Sequence, residues 1–164
     1  LIKLHIFFDN LYLENGNVKK CMIETRKGVG GLYKGFIYCK TLKEAENLLK
    51  FLNEKLKTNI SKNLNLRIKR GCTEFALKFD KYNNLKNQMV YEKSWRDKEK
   101  INDLKFPFLK NNISDRKTTP GINLNDVLTI RNWVYFAYLK NDESYKLVSS
   151  KIYRSKYIEN LASN

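Results

Sequence analysis

Residues 32–56 read LYKGFIYCKTLKEAENLLKFLNEKL, and the fold class turns on a change of period inside this stretch. From Leu32 to Cys39 the chain is rich in aromatic residues, with Lys34, Phe36 and Tyr38 at alternate positions. That pattern predicts a strand, because successive side chains of a strand point to opposite faces. At Thr41 the period becomes helical. Leu42, Ala45, Leu48, Leu49, Leu52 and Leu56 share one face, with Lys43, Glu46, Lys50 and Glu54 on the other. Thr41 and Glu44 have the spacing of a capping box, in which side chains satisfy the open backbone donors of a helix start. A packed amphipathic helix is predicted over about residues 41–57.

Toward the N-terminus, Leu4, Ile6 and Phe8 alternate with Lys3, His5 and Phe7, which predicts a strand over 1–8. Asn15-Gly16 is a strong hairpin signal, since a type I′ turn needs positive φ at both central residues. A second strand is predicted over about Val18 to Arg26, followed by the loop Lys27-Gly28-Val29-Gly30-Gly31. Toward the C-terminus, Leu64, Leu66 and Ile68 alternate with Asn65, Arg67 and Lys69, and Phe75, Leu77 and Phe79 alternate beyond Gly71. These predict a further hairpin or bent strand. Met89 to Lys100 has the pattern of a short helix, and Pro107 and Pro120-Gly121 punctuate a partly irregular stretch over 80–122. From Asn123, the positions of Leu124, Val127, Leu128, Val134, Tyr135 and Tyr138 suit a helix, while β-branched Thr129, Ile130 and Val134 keep a strand in competition. Residues 142–164 read as a terminal helix with Tyr145, Val148 and Ile152 on one face. The expectation is one basic α+β domain over 1–164: an antiparallel sheet of about four to five strands, the packed helix, and a helical C-terminal third.

A chain of 164 residues has the length of one domain and can bury a core without disulfide or metal staples. With 42% hydrophobic and 13% aromatic residues it is not a disordered chain. It shows no secretory signal and no apolar run near the roughly 18–20 residues of a membrane span, so a soluble, cytoplasmic protein is expected. It opens on Leu1 rather than Met, which leaves open whether a segment precedes it. Cys21, Cys39 and Cys72 are odd in number and lack a Cys-x-x-Cys spacing, so reduced thiols are expected rather than a disulfide framework. His5 is the only histidine; a Cys3His zinc site is arithmetically open, but no ligand pair has zinc spacing. Neither a metal nor a cofactor is expected. Oligomeric state leaves no mark in the sequence.

The net charge is +15, from 32 Lys and Arg against 17 Asp and Glu. Such a field draws polyanions, and nucleic acid is the first partner to consider. Lys outnumbers Arg, which favours attraction to the phosphate backbone over reading of base edges. The glycine-rich loop lacks the Gly-Lys-Ser/Thr ending of a phosphate-binding loop and is followed by a strand, not a helix. It reads as a hairpin loop whose amides can approach a phosphate, flanked by Arg26, Lys27 and Lys34. Phe36 and Tyr38 share the strand face of Lys34, and Arg67 and Lys69, next to Arg70, share the polar face of a later strand. If those faces coincide, aromatics stand among cations, a surface on which bases stack and phosphates pair. The candidate nucleic-acid-binding residues are therefore Arg26, Lys27, Lys34, Phe36, Tyr38, Arg67, Lys69 and Arg70. The tail places Lys146, Lys151, Arg154 and Lys156 beside Tyr145, Tyr153 and Tyr157, a docked helix with a solvated face or a basic amphipathic surface.

Lys34-Gly35-Phe36-Ile37-Tyr38 resembles the start of the longer signature strand of RNA recognition motifs, and Ile6-Phe7-Phe8-Asp9-Asn10-Leu11 resembles the shorter one. The resemblance implies base stacking on Phe7, Phe36 and Tyr38. Ile37 departs from the small residue usual there, and an Asn-Gly segment fills the place of that fold's first helix. Gly31-Leu32-Tyr33 is similar to the opening triplet of GIY-YIG nucleases, whose second triplet is missing here. Three classes stay open: a non-enzymatic nucleic-acid-binding protein, a metal-dependent nuclease-like enzyme with Asp9, Glu24 or Glu74 as ligands, and a structural or partner-binding domain. No catalytic residue stands out, since any histidine relay must run through His5.

Overall fold

The structure, a computed structural model, describes residues 1–27, 29–69, 93–107, 121–149, 151–152 and 154–163. Among these it contains five α-helices and one two-stranded sheet. The chain is α+β but rich in helix, and it divides into two compact units.

The first unit comprises Leu1–Tyr12, Lys19–Phe36 and Thr119–Asn164. It opens with helix α1 (Ile2–Asn10), where a strand was predicted. The alternation of Leu4, Ile6 and Phe8 misleads because Leu4 and Phe8 also lie four apart, one above the other on a helix. Both side chains lie toward the sheet, where a Cβ on Gly35 would meet Leu4 Cδ2 at 2.6 Å and Phe8 Cε2 at 3.1 Å. Strands β1 (Lys19–Ile23) and β2 (Tyr33–Ile37) form the sheet. Glu24 N donates to Leu32 O at 2.7 Å, closing the ladder at the loop end. Lys19 reaches back to the C-terminal turn of α1, where its ammonium donates to Phe8 O and, at 2.8 Å, to Leu11 O. It thereby supplies donors to the carbonyls at the helix end, where Phe8 O also accepts from Leu11 N at 3.3 Å.

Asn123 caps helix α4 (Leu124–Leu139) in a full capping box with Asp126, so the predicted helix prevails over the competing strand. Trp133 to Ala137 are all buried, so this half of the helix is enclosed and needs no polar face, whereas Leu124, Val127 and Leu128 of its first half are exposed. Tyr135, Phe136 and Ile158 form the core cluster, against which Ile23, Tyr33, Leu139, Ile152 and Leu161 pack. Phe136, at 1% exposure, contributes on the order of 2–3 kcal/mol by burial alone. The predicted terminal helix is two pieces, a 3-10 turn (Glu143–Leu147) and helix α5 (Lys156–Ala162). Ser149 interrupts it: its hydroxyl donates to Lys151 O and accepts from Lys151 N, a local alternative to helical bonding. Asp142 accepts from the Tyr33 hydroxyl at 2.6 Å and ties the turn to β2.

The second unit comprises Leu13–Val18 and Ile37–Thr118. Helix α2 (Leu42–Asn59) stands where it was predicted, with Thr41 Oγ1 accepting from Glu44 N at 3.1 Å. Leu52 and Leu56 are buried. Glu44 accepts from Asn15, Asn17 and Lys40 N, and buried Asn17 also donates to Tyr38 O at 2.9 Å. Helix α3 (Trp95–Lys105) begins later than the predicted Met89 and buries no residue; positions 89–92 lie outside the described residues.

The expected sheet of four to five strands is corrected to two among the described residues. Residues 2–8 are helical, and within 64–69 only Lys69 makes a ladder bridge. The alternation there still shows in burial: Leu64, Leu66 and Ile68 are half-buried while Asn63, Asn65 and Arg67 are exposed. Positions 75–79 lie outside the described residues. Asn15-Gly16 joins a helix to a strand; only Gly16 of the pair has positive φ, 58°, so the turn is not type I′. No helix among the described residues is long and apolar enough to cross a membrane.

Candidate functional site

The chemistry of the first unit gathers at the loop end of the β1–β2 hairpin. Glu24 directly follows β1, and its side chain is 2% exposed. A carboxylate that deep must be compensated. Arg26 does so through a two-point grip, Nε to Oε1 at 2.8 Å and Nη2 to Oε2 at 2.7 Å, with its backbone N also donating to Oε1. Lys34 adds Nζ to Oε2 at 3.1 Å from β2. The Arg26 side chain, outweighing the effect of burial and helped by Lys34, holds the Glu24 carboxyl down to about 2. The carboxylate is therefore charged throughout the physiological range, and it fixes two cations in place.

Beside this cluster lies an open depression of about 260 Å³. Val29, Leu32, Phe136 and Leu161 give it an apolar lining, and Arg26, Lys27 and Lys140 bring cations to it. Lys140 follows the C-terminus of α4 and donates to Ala162 O, leaving further N–H groups on the same ammonium. Lys27 is exposed and has no ion-pair partner among the described residues.

Of the predicted binding residues, the structure brings Arg26 and Lys34 onto Glu24, and Lys27 lines the depression beside them. Phe36 is half-buried on β2, two residues beyond Lys34 and so on its face of the strand. The other face, with Tyr33, is the one covered by the core. Tyr38 belongs to the second unit and is 55% exposed, and so do Arg67, which is exposed, and Lys69, which is half-buried. Arg70 lies outside the described residues. Lys140 and Leu161 were not predicted. Asn141, with φ at 54°, follows the helix end at Lys140, and nothing in the sequence places that end beside the hairpin.

Two of the three candidate metal-binding acids are engaged elsewhere. Asp9 accepts from Gly121 N at 2.8 Å, Glu24 is enclosed by cations, and Glu74 lies outside the described residues. Among the described residues no group of three or more His, Cys, Asp or Glu is arranged to hold a metal. The thiols of Cys21 and Cys39 are free, half-buried and pushed up to about 11 by burial, which makes them poor nucleophiles. Phe7, which the likeness to RNA recognition motifs placed on a strand, stands on α1. No protein-family model matches the chain, and neither does any curated protein or solved structure.

Proposed function

We propose that this protein binds nucleic acid without acting on it chemically, holding the phosphate backbone at the β1–β2 hairpin and favouring single strands. The observation that carries this is the grouping of Arg26, Lys27, Lys34 and Lys140 in a chain of net charge +15, with one buried carboxylate holding two of them. Cations fixed by the protein's own architecture lose less freedom when a phosphate arrives than cations on mobile side chains. Lys27 supplies attraction that no acid among the described residues neutralises through an ion pair.

The test is a fluorescence-anisotropy titration with single-stranded RNA, single-stranded DNA and duplex DNA at about 50 and 200 mM salt. The expected result is binding to single strands that weakens steeply with salt. Lys27→Gln should weaken binding for every sequence and lower the salt slope by about one. Absence of binding at the lower salt overturns the proposal, and cleavage of the probe on adding magnesium would replace it with the enzymatic alternative.

A further inference from the structure

We propose that the depression beside the hairpin receives one unstacked nucleotide of a bound single strand, a step that rests on the nucleic-acid reading above. The base lies on Val29, Leu32 and Leu161, and its phosphate faces Lys27 and Lys140.

Size is the first argument. The depression holds about 260 Å³, below the roughly 300–1,000 Å³ of sites that enclose a whole small ligand. It suits one unit of a chain whose remainder runs over the surface. Lining is the second. A bare phosphate site needs converging donors and no apolar wall, whereas this one has four apolar side chains beside its cations. An apolar face joined to an anion through a short linker is the chemistry of a nucleotide, whose base has two apolar faces and whose phosphate is one sugar away. Charge is the third. A bare carboxylate would repel the phosphate, but Glu24 is 2% exposed and compensated by Arg26 and Lys34, so the incoming anion meets net positive charge. Bases in a duplex are stacked and paired and do not enter such a depression without being extruded, so the contact selects single strands.

The experiment compares two probes with the full chain: a single-stranded oligonucleotide, and an abasic strand of equal length with the same phosphates. The ordinary strand should bind about ten-fold tighter, at an unchanged salt slope, because burying a base face on apolar side chains adds affinity without releasing counterions. Leu32→Ser should bring the ordinary strand to the abasic level and leave the abasic strand unaffected. Leu32 is 36% exposed, so its loss leaves the core intact, and half-buried Val29→Ser gives a second variant, with circular dichroism checking the fold of both. Equal binding of the two probes, or a base preference that survives both substitutions, overturns the nucleotide site while the backbone reading stands. Failure of both probes to bind at about 50 mM salt overturns both proposals.

Discussion

Glu24 is the residue on which the hairpin's loop end depends. A carboxyl that titrates near 2 when folded and near its ordinary value when unfolded adds stability above the unfolded value, and that stability is lost as pH falls through the folded one. The contribution at neutral pH is on the order of 2–3 kcal/mol, kept below the full shift because Arg26 is about a third exposed and partly screened. Glu24→Gln should therefore lower the unfolding free energy by about that amount at pH 7, since the buried cluster then carries two cations and no anion. Wild type loses this advantage on acidification and the Gln variant has none to lose, so the gap should close between about pH 5 and pH 2. Urea denaturation of both proteins at several pH values measures it. A gap that stays constant with pH would mean that Glu24 acts through packing and not through charge.

At the level of elements, the contact between α1 and the sheet depends on a missing side chain. Gly35 lies on β2 where a Cβ would meet Leu4 Cδ2 at 2.6 Å and the Phe8 ring at 3.1 and 3.2 Å. Leu4 can turn aside, but the two ring atoms of Phe8 leave less room. Gly35→Val should destabilise by about 1–3 kcal/mol despite the strand preference of valine, and should speed amide exchange in α1 before the rest of the unit. Thermal denaturation and hydrogen exchange test this; a variant as stable as wild type would show that α1 is not seated as described. The same contact explains what the sequence conceals. Helix α2 was legible because Thr41, Glu44 and a leucine face all specify one helix. Helix α1 was not, because nine largely apolar residues satisfy both periods and only the surface they meet decides between them. The site divides likewise. Arg26, Lys27 and Lys34 were legible as cations flanking a glycine loop, whereas Lys140 and Leu161 arrive through tertiary packing of α4 and α5.

For the whole molecule, charge sets two salt dependences of opposite sign. A chain at +15 repels itself, and added salt screens that repulsion; the ion pairs on buried Glu24 are screened far less than surface charges. The melting temperature of the free protein should therefore rise as salt increases from about 20 to 300 mM. A ligand that binds only the folded chain raises the melting temperature further, by an amount that follows its affinity. If that ligand is held through phosphates, its affinity falls over the same range. Differential scanning fluorimetry with and without a saturating single-stranded oligonucleotide should then give two curves, well separated at low salt and converging at high salt. Convergence without separation at low salt would reduce the charge to a solubilising role. Parallel curves would mean an oligonucleotide held without counterion release, and the phosphate-binding function proposed for the hairpin would be wrong. A free-protein curve that falls with salt would show that attraction between surface ion pairs outweighs net repulsion, and the +15 would then be locally compensated and too weak to draw a polyanion.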